Sequence, residues 1–153
     1  MVCCFTGHRS LPKGSANLIN ARLHQTIEYL IKQGVSEFRA GGAIGFDTLA
    51  AFAVLKLKEQ YPHISLVLML PCKDQDKGWT DLQKRCYKEI INCADQVNIL
   101  SEHYYRGCMF ARNRALVDGS DYCVAYLTQA KGGTQMTVDY AQRKNLKIIN
   151  LGQ

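Results

Sequence analysis

Phe38-Arg39-Ala40-Gly41-Gly42-Ala43-Ile44-Gly45-Phe46-Asp47, running on into Thr48-Leu49-Ala50-Ala51, decides the fold. The stretch reads as the end of a short strand, a glycine turn, and a helix opening at about Gly45. Gly41, Gly42 and Gly45 tolerate positive φ and put no Cβ in the way of a close neighbour or ligand. A helix that starts there presents free backbone N–H groups and a positive dipole end, which favour a phosphate or carboxylate. Two comparable glycine turns, around Gly7 and around Gly132-Gly133, also stand between an apolar run and a helical pattern.

Outward from that turn the chain alternates strand and helix. Strands are predicted at Val2–Phe5, Glu37–Ala40, Ser65–Leu70, Gln96–Leu100, Asp121–Leu127 and Lys147–Leu151, each short and bounded by turn residues. Ile19, Leu23, Ile27, Leu30 and Ile31 recur at helical spacing before Gly34, with Asn17 as the expected cap. Thr80-Asp81-Leu82-Gln83 has the form of a capping box, and Leu82, Cys86 and Ile90 are expected to form the inner stripe of its helix. Apolar strands alternating with helices predict a Rossmann-like, doubly wound α/β fold: a mainly parallel sheet with helices on both faces. Right-handed crossovers bring every strand-to-helix turn to the carboxyl edge, where such sheets bind ligands. Residues 1–153 read as one domain, without linker, repeat or low-complexity segment.

Composition narrows the classes. The formal charge of +6 favours an anionic partner, but the basic residues are dispersed, without a Lys/Arg run. No apolar stretch of about 18 residues could span a bilayer. The start Met1-Val2-Cys3-Cys4-Phe5 lacks the basic region and cleavage pattern of a signal peptide, so a cytoplasmic protein with no membrane partner is expected. Seven scattered cysteines without a C-x-x-C pair read as buried, reduced thiols, and no metal site or cofactor is expected. The turn at Gly41 is neither G-x-G-x-x-G nor a P-loop, which argues against a standard NAD site and a P-loop NTPase.

Four motifs occur in order: Thr6-Gly7-His8-Arg9; Gly41-Gly42-Ala43-Ile44-Gly45-Phe46-Asp47; Arg112-Asn113-Arg114 with Asp118-Gly119-Ser120-Asp121; and Gly132-Gly133-Thr134-Gln135-Met136-Thr137. Together they resemble the YpsA-like branch of the SLOG superfamily over essentially the whole chain, and they are also similar to the Rossmann-like core of the DNA-processing protein DprA. The resemblance implies a fold that binds a nucleotide or nucleotide-derived phosphorylated ligand, as a sensor or sequestering module, and is consistent with a homodimer. Single-stranded DNA is the second partner it implies. A third reading, cleavage of a nucleoside monophosphate, comes from the LOG branch; its P-G-G-x-G-T-x-x-E glutamate is missing from Lys131-Gly132-Gly133-Thr134-Gln135-Met136-Thr137-Val138-Asp139. An enzyme would have to use Asp47 or Asp139, so the chain reads as a binding module.

The expected ligand contacts are therefore Thr6, Gly7, His8 and Arg9 as the floor, and Gly41, Gly42 and Gly45 with Gly132, Gly133 and Thr134 as the cradle. Asp47 is expected to face a ribose hydroxyl or to cap its helix, Thr137 and Asn113 to add polar contacts, and Trp79 to act as a lid or stacking surface. Arg112 is expected to neutralise phosphate, leaving Arg114 structural, with an Arg114–Asp118 helix pair as the plain alternative.

Overall fold

A computed structural model describes all of residues 1–153. Six strands and five helices alternate: β1 (Val2–Gly7), α1 (Ala16–Lys32), β2 (Glu37–Ala40), α2 (Phe46–Lys58), β3 (Ser65–Leu70), α3 (Asp81–Cys93), β4 (Gln96–Ile99), α4 (Cys108–Val117), β5 (Tyr122–Tyr126), α5 (Gly132–Arg143) and β6 (Lys147–Asn150). All strands are parallel, in the order β4-β3-β2-β1-β5-β6. The order reverses between β1 and β5, so the carboxyl ends of those two strands flank the crevice that doubly wound sheets use for ligands.

The period of two along β1 explains why both faces are covered. Cys3 and Phe5 point into a large core with Phe38 and Phe46, where α1, α2 and α3 pack. Cys4 points the other way, onto Leu116 and Val117 of α4, Cys123 and Ala141 of α5. Phe5, Phe38 and Phe46 are fully buried, each stabilising the fold by about 2–3 kcal/mol relative to exposure. The Phe5 ring stacks on Phe38 at 6.1 Å and meets Phe46 edge-on at 6.4 Å, so β1, β2 and the start of α2 form one unit.

The capping box forms as expected: the Thr80 hydroxyl accepts from the Gln83 N–H at 3.2 Å, and the Thr80 N–H donates to Gln83 Oε1 at 3.0 Å. Two local expectations change. The first helix is capped at Ser15, not Asn17, and the Ser15 hydroxyl donates back to the Pro12 carbonyl instead of to the helix. Leu82 is 63% exposed; Tyr87 and Ile90 carry the buried face of α3. The helix is turned so that its first turn rims the carboxyl edge, where the sheet no longer covers it. No helix is long and apolar enough to cross a membrane.

Candidate functional site at the carboxyl edge

The three glycine turns do meet at one edge, but the first two are packed into each other. A Cβ on Gly7 would lie 2.5 Å from the Phe46 Cβ, and one on Gly45 would lie 2.7 Å from the His8 carbonyl oxygen. The Phe46 N–H, the first free donor of α2, points at that same carbonyl at 3.2 Å. The dipole end of α2 is thus capped from within by the turn after β1. Gly42, at φ +71°, is packed beneath Leu70, Tyr87 and Gln75. Gly41 and Gly42 are buried, so their missing side chains serve the protein's own packing. Only the third turn is open: a Cβ on Gly132 meets nothing within 4 Å, and α5 begins with no side-chain cap and no acidic residue in its first turn.

Arg112 sits at the centre and is 4% exposed. Its Nη1 donates to the Gly41 carbonyl at 2.5 Å and to Gln75 Oε1 at 3.3 Å; its Nε donates to Asn113 Oδ1 at 2.9 Å. Asn113 Nδ2 in turn lies 4.0 Å from where a Cβ of Gly133 would be. A relay of contacts therefore runs from the Gly41-Gly42 turn through Arg112 and Asn113 to the Gly132-Gly133 turn. Of the two arginines, Arg112 faces inward onto protein acceptors, and Arg114 is exposed and lines a groove. The Arg114–Asp118 pair does not form, because Asp118 Oδ1 accepts from Tyr140 Oη at 2.7 Å. Gln75, which nothing in its polar loop distinguishes, is buried and also donates to the Gly41 carbonyl (3.3 Å) and to Tyr87 Oη (3.2 Å).

Asp47 is buried, with Oδ2 accepting from the Ala43 N–H at 3.3 Å. Burial pushes its carboxyl above the usual carboxylate range, against the pull of Arg112, the Ala43 N–H, Arg9 and the Gly41 N–H. Burial likewise lowers Arg112, opposed chiefly by Asp47. The two buried groups favour each other's charged form without forming an ion pair, and the Asp47 carboxylate is turned onto the Ala43 N–H of its own turn. Asp139 accepts from Gln135 Nε2 at 2.7 Å and lines none of the three main hollows.

His8 also works inside the protein. Its Nε2 accepts from the N–H groups of Thr128 (3.0 Å) and Gln129 (3.4 Å), tying the turn after β1 to the loop after β5. An accepting Nε2 leaves the ring proton on Nδ1. Thr6 is buried at the end of β1, and Thr134 is buried in the first turn of α5. The Thr137 hydroxyl donates back to the Gly133 carbonyl at 2.8 Å.

Arg9 is different. It is exposed, and its recorded side-chain contact is Nη2 against Met109 Sδ at 3.6 Å; no carboxylate pairs with it. It forms the partition between two hollows. One, about 330 Å³, is walled by Leu11, Ile44, Leu49 and Leu82. The other, about 340 Å³, is lined by Asp74, Gln75, Lys77, Trp79, Tyr104 and Met109. Trp79 rests edge-on against Tyr87, centroids 5.1 Å apart, and is half-buried, so one side packs and the other faces this hollow. A third hollow, about 350 Å³, runs between α4 and α5 beside Asn113, Arg114, Thr137 and Arg143. No three His, Cys, Asp or Glu side chains come close enough to hold a metal ion.

Comparison with known proteins places this geometry among relatives. The family model described as the YspA SLOG family (YpsA) matches residues 3–150. The SPbeta prophage-derived protein YoqJ of Bacillus subtilis is 33% identical over 138 residues, covering 82% of this chain and 81% of its own. The UPF0398 protein BH1768 of Halalkalibacterium halodurans is 32% identical over 118 residues, covering 76% of this chain and 62% of its own. Among solved structures, DNA processing protein A from Streptococcus pneumoniae superposes with a TM-score of 0.71 at 17% identity over 97% of this chain. DNA processing protein A from Helicobacter pylori, solved for its single-stranded DNA binding mode, gives 0.68 at 20% identity over all of it. The chain spans 49% of the first of these proteins and 66% of the second, and at such identities the likeness is one of fold.

Proposed function

The chain belongs to the YspA SLOG family, and from that membership and the carboxyl-edge geometry we propose that it binds a nucleotide or nucleotide-derived phosphorylated ligand. In this reading it is a sensor or sequestering module. The observation that carries it is charge balance. The Arg112 guanidinium is buried and bonded to the Gly41 carbonyl, Gln75 and Asn113, while the exposed Arg9 guanidinium lines two hollows and forms no ion pair with a carboxylate. An uncompensated guanidinium flanked by two hollows at a sheet's switch point suits a phosphate, which it can grip bidentately. Gly41, Gly42, Gly45 and Arg112 then act as the rigid support of the site, with Arg9 as its anion contact and the open Gly132-Gly133 turn as a further anion-receptive edge.

Calorimetry with nucleoside mono- and diphosphates, cyclic nucleotides and ADP-ribose tests this. Binding by at least one of them, weakened about tenfold or more in Arg9→Gln, is expected from losing a charge-assisted bidentate contact. Absent heats across the whole series, together with no small molecule released on denaturing the purified protein, would sink the proposal.

A second reading, single-stranded DNA binding, draws on the Helicobacter pylori neighbour, on the net charge of +6 and on the α4–α5 groove. Arg114 and Arg143 line that groove beside the exposed Phe110 and the half-buried Tyr140, a pairing of cations and aromatic faces suited to a strand. It predicts that log affinity for an oligothymidylate falls steeply with log salt, by roughly 0.7 per phosphate neutralised. A weak, salt-independent mobility shift removes it.

A further inference from the structure

Asp74 Oδ1 is the one buried side-chain nitrogen or oxygen in the protein without a hydrogen-bond partner. Native proteins leave few such atoms, and each calls for a reason. Asp74 lines the 340 Å³ hollow that also holds Arg9, Lys77, Trp79 and Tyr104. No cation pairs with its carboxylate; Lys73, next to it in sequence, is taken by Glu102 at 2.8 Å. The Cys72 thiol first, and then the backbone N–H groups of Asp74 and Tyr104 and the nearby His103, hold the Asp74 carboxyl below the usual range against its own burial, and burial with the Asp74 contact pushes the Cys72 thiol up to about 11. Near neutral pH the thiol keeps its proton, and Asp74 is an ionised group that can only accept.

A ligand for this hollow has to meet three conditions. It needs an anionic end for Arg9 and Lys77, neither of which has a carboxylate partner. It needs a flat face for the half-buried Trp79 and the exposed Tyr104. It needs an N–H donor for Asp74. A bare phosphate meets the first condition and is repelled by Asp74; a free base meets the other two and leaves the cations unused. A nucleotide meets all three. Among bases, guanine sets N1–H and the 2-amino group side by side, both donors to one carboxylate. Adenine offers a ring nitrogen lone pair at the same place, which a carboxylate repels.

We infer that the hollow between Arg9 and Asp74 is a base-reading subsite that selects guanine nucleotides, with Asp74 accepting from the base edge and Trp79 and Tyr104 holding its face. This rests on the nucleotide-binding reading above and narrows it. Sites built to pair a buried polar group with a ligand N–H discriminate strongly against analogues lacking it, because the group is then left unpaired.

Calorimetry on the full chain with GMP, IMP, AMP and ribose 5-phosphate is the test. The expected order is GMP tightest, IMP next through its N1–H, and AMP and ribose 5-phosphate weaker than GMP by about 10- to 100-fold, the usual weight of a hydrogen bond to a charged group. Asp74→Asn is expected to erase the GMP preference by weakening GMP, while ribose 5-phosphate, freed of the carboxylate's repulsion, binds the variant more tightly than it binds the wild type. If all four bind equally and Asp74→Asn changes nothing, the base subsite is wrong while anion binding at Arg9 stands. A preference for AMP likewise overturns it. If none binds, both proposals fall. The wild-type series needs no variant, so the outcome does not depend on how Asp74→Asn folds.

Discussion

Replacing Arg112 by methionine probes the support beneath the site. The side chain keeps its length and apolar stem but loses the charge and all of its donors. Gln75 Oε1 then loses its guanidinium partner, while the Gly41 carbonyl retains the Gln75 amide at 3.3 Å. Stranding one buried acceptor costs about 1–2 kcal/mol. Asp47, buried at 6% exposure, loses the strongest attraction that favours its ionised form, and leaving a buried polar group less well compensated costs about 1–2 kcal/mol more. We therefore expect Arg112→Met to lose about 3 kcal/mol, a large share of the roughly 5–15 kcal/mol that holds a domain together.

The loss depends on pH in a definite direction. Asp47 has a folded-state pKa above its unfolded one, so ionising it opposes folding. That cost is absent below about pH 4, where both states are protonated, and grows as pH rises through the window up to the folded value. Without Arg112 the folded value climbs further, so the gap between variant and wild type widens with rising pH, by about 1.4 kcal/mol for each added unit. Asp47→Asn in the same chain removes the stranded charge and is expected to restore roughly half the loss. Urea unfolding followed by circular dichroism at pH 4.5 and pH 7.5 measures all of this. A variant within about 0.5 kcal/mol of wild type at both pH values, near the size of ordinary surface changes, or a gap that shrinks with rising pH, would show that Arg112 and Asp47 are not coupled as described.

Other consequences are simpler to read. Gly42→Ala puts a Cβ 2.7 Å from Leu70 Cδ2 at φ +71°, so it should cost about 1–3 kcal/mol in urea unfolding instead of acting on ligand affinity alone. His8→Leu frees the N–H groups of Thr128 and Gln129, and hydrogen exchange at those two amides should speed up while the core of β1 stays protected. Thr80→Ala removes the cap of α3 and should cost about 1 kcal/mol, measured by thermal unfolding. Arg9→Gln should leave the melting temperature unchanged, because that guanidinium makes no ion pair in the protein.

The strands, the glycine turns and the capping box at Thr80 were legible because each is written in residues close together in the chain. Period-two and period-3.6 patterns need only local geometry, and Thr80 reaches Gln83 within one helical turn. Leu82 was misjudged by the same reasoning: a helical stripe says which residues share a face, and α3 shows that the sheet need not cover all of that face. Gln75 left no signal at all, since a buried amide in a run of charged loop residues looks like its exposed neighbours.

What the sequence alone determined is the alternation of strand and helix, the convergence of the glycine turns on the carboxyl edge, and an excess of positive charge. Which arginine is buried against the protein's own carbonyls and which stand exposed was settled only by tertiary structure. Arg112 lies 71 residues from Gly41 and 37 from Gln75, and until the sheet brings those acceptors together nothing distinguishes it from Arg9 or Arg114. A guanidinium is spent or free according to the carbonyls and carboxylates that surround it, and those neighbours come from strands far apart in the chain.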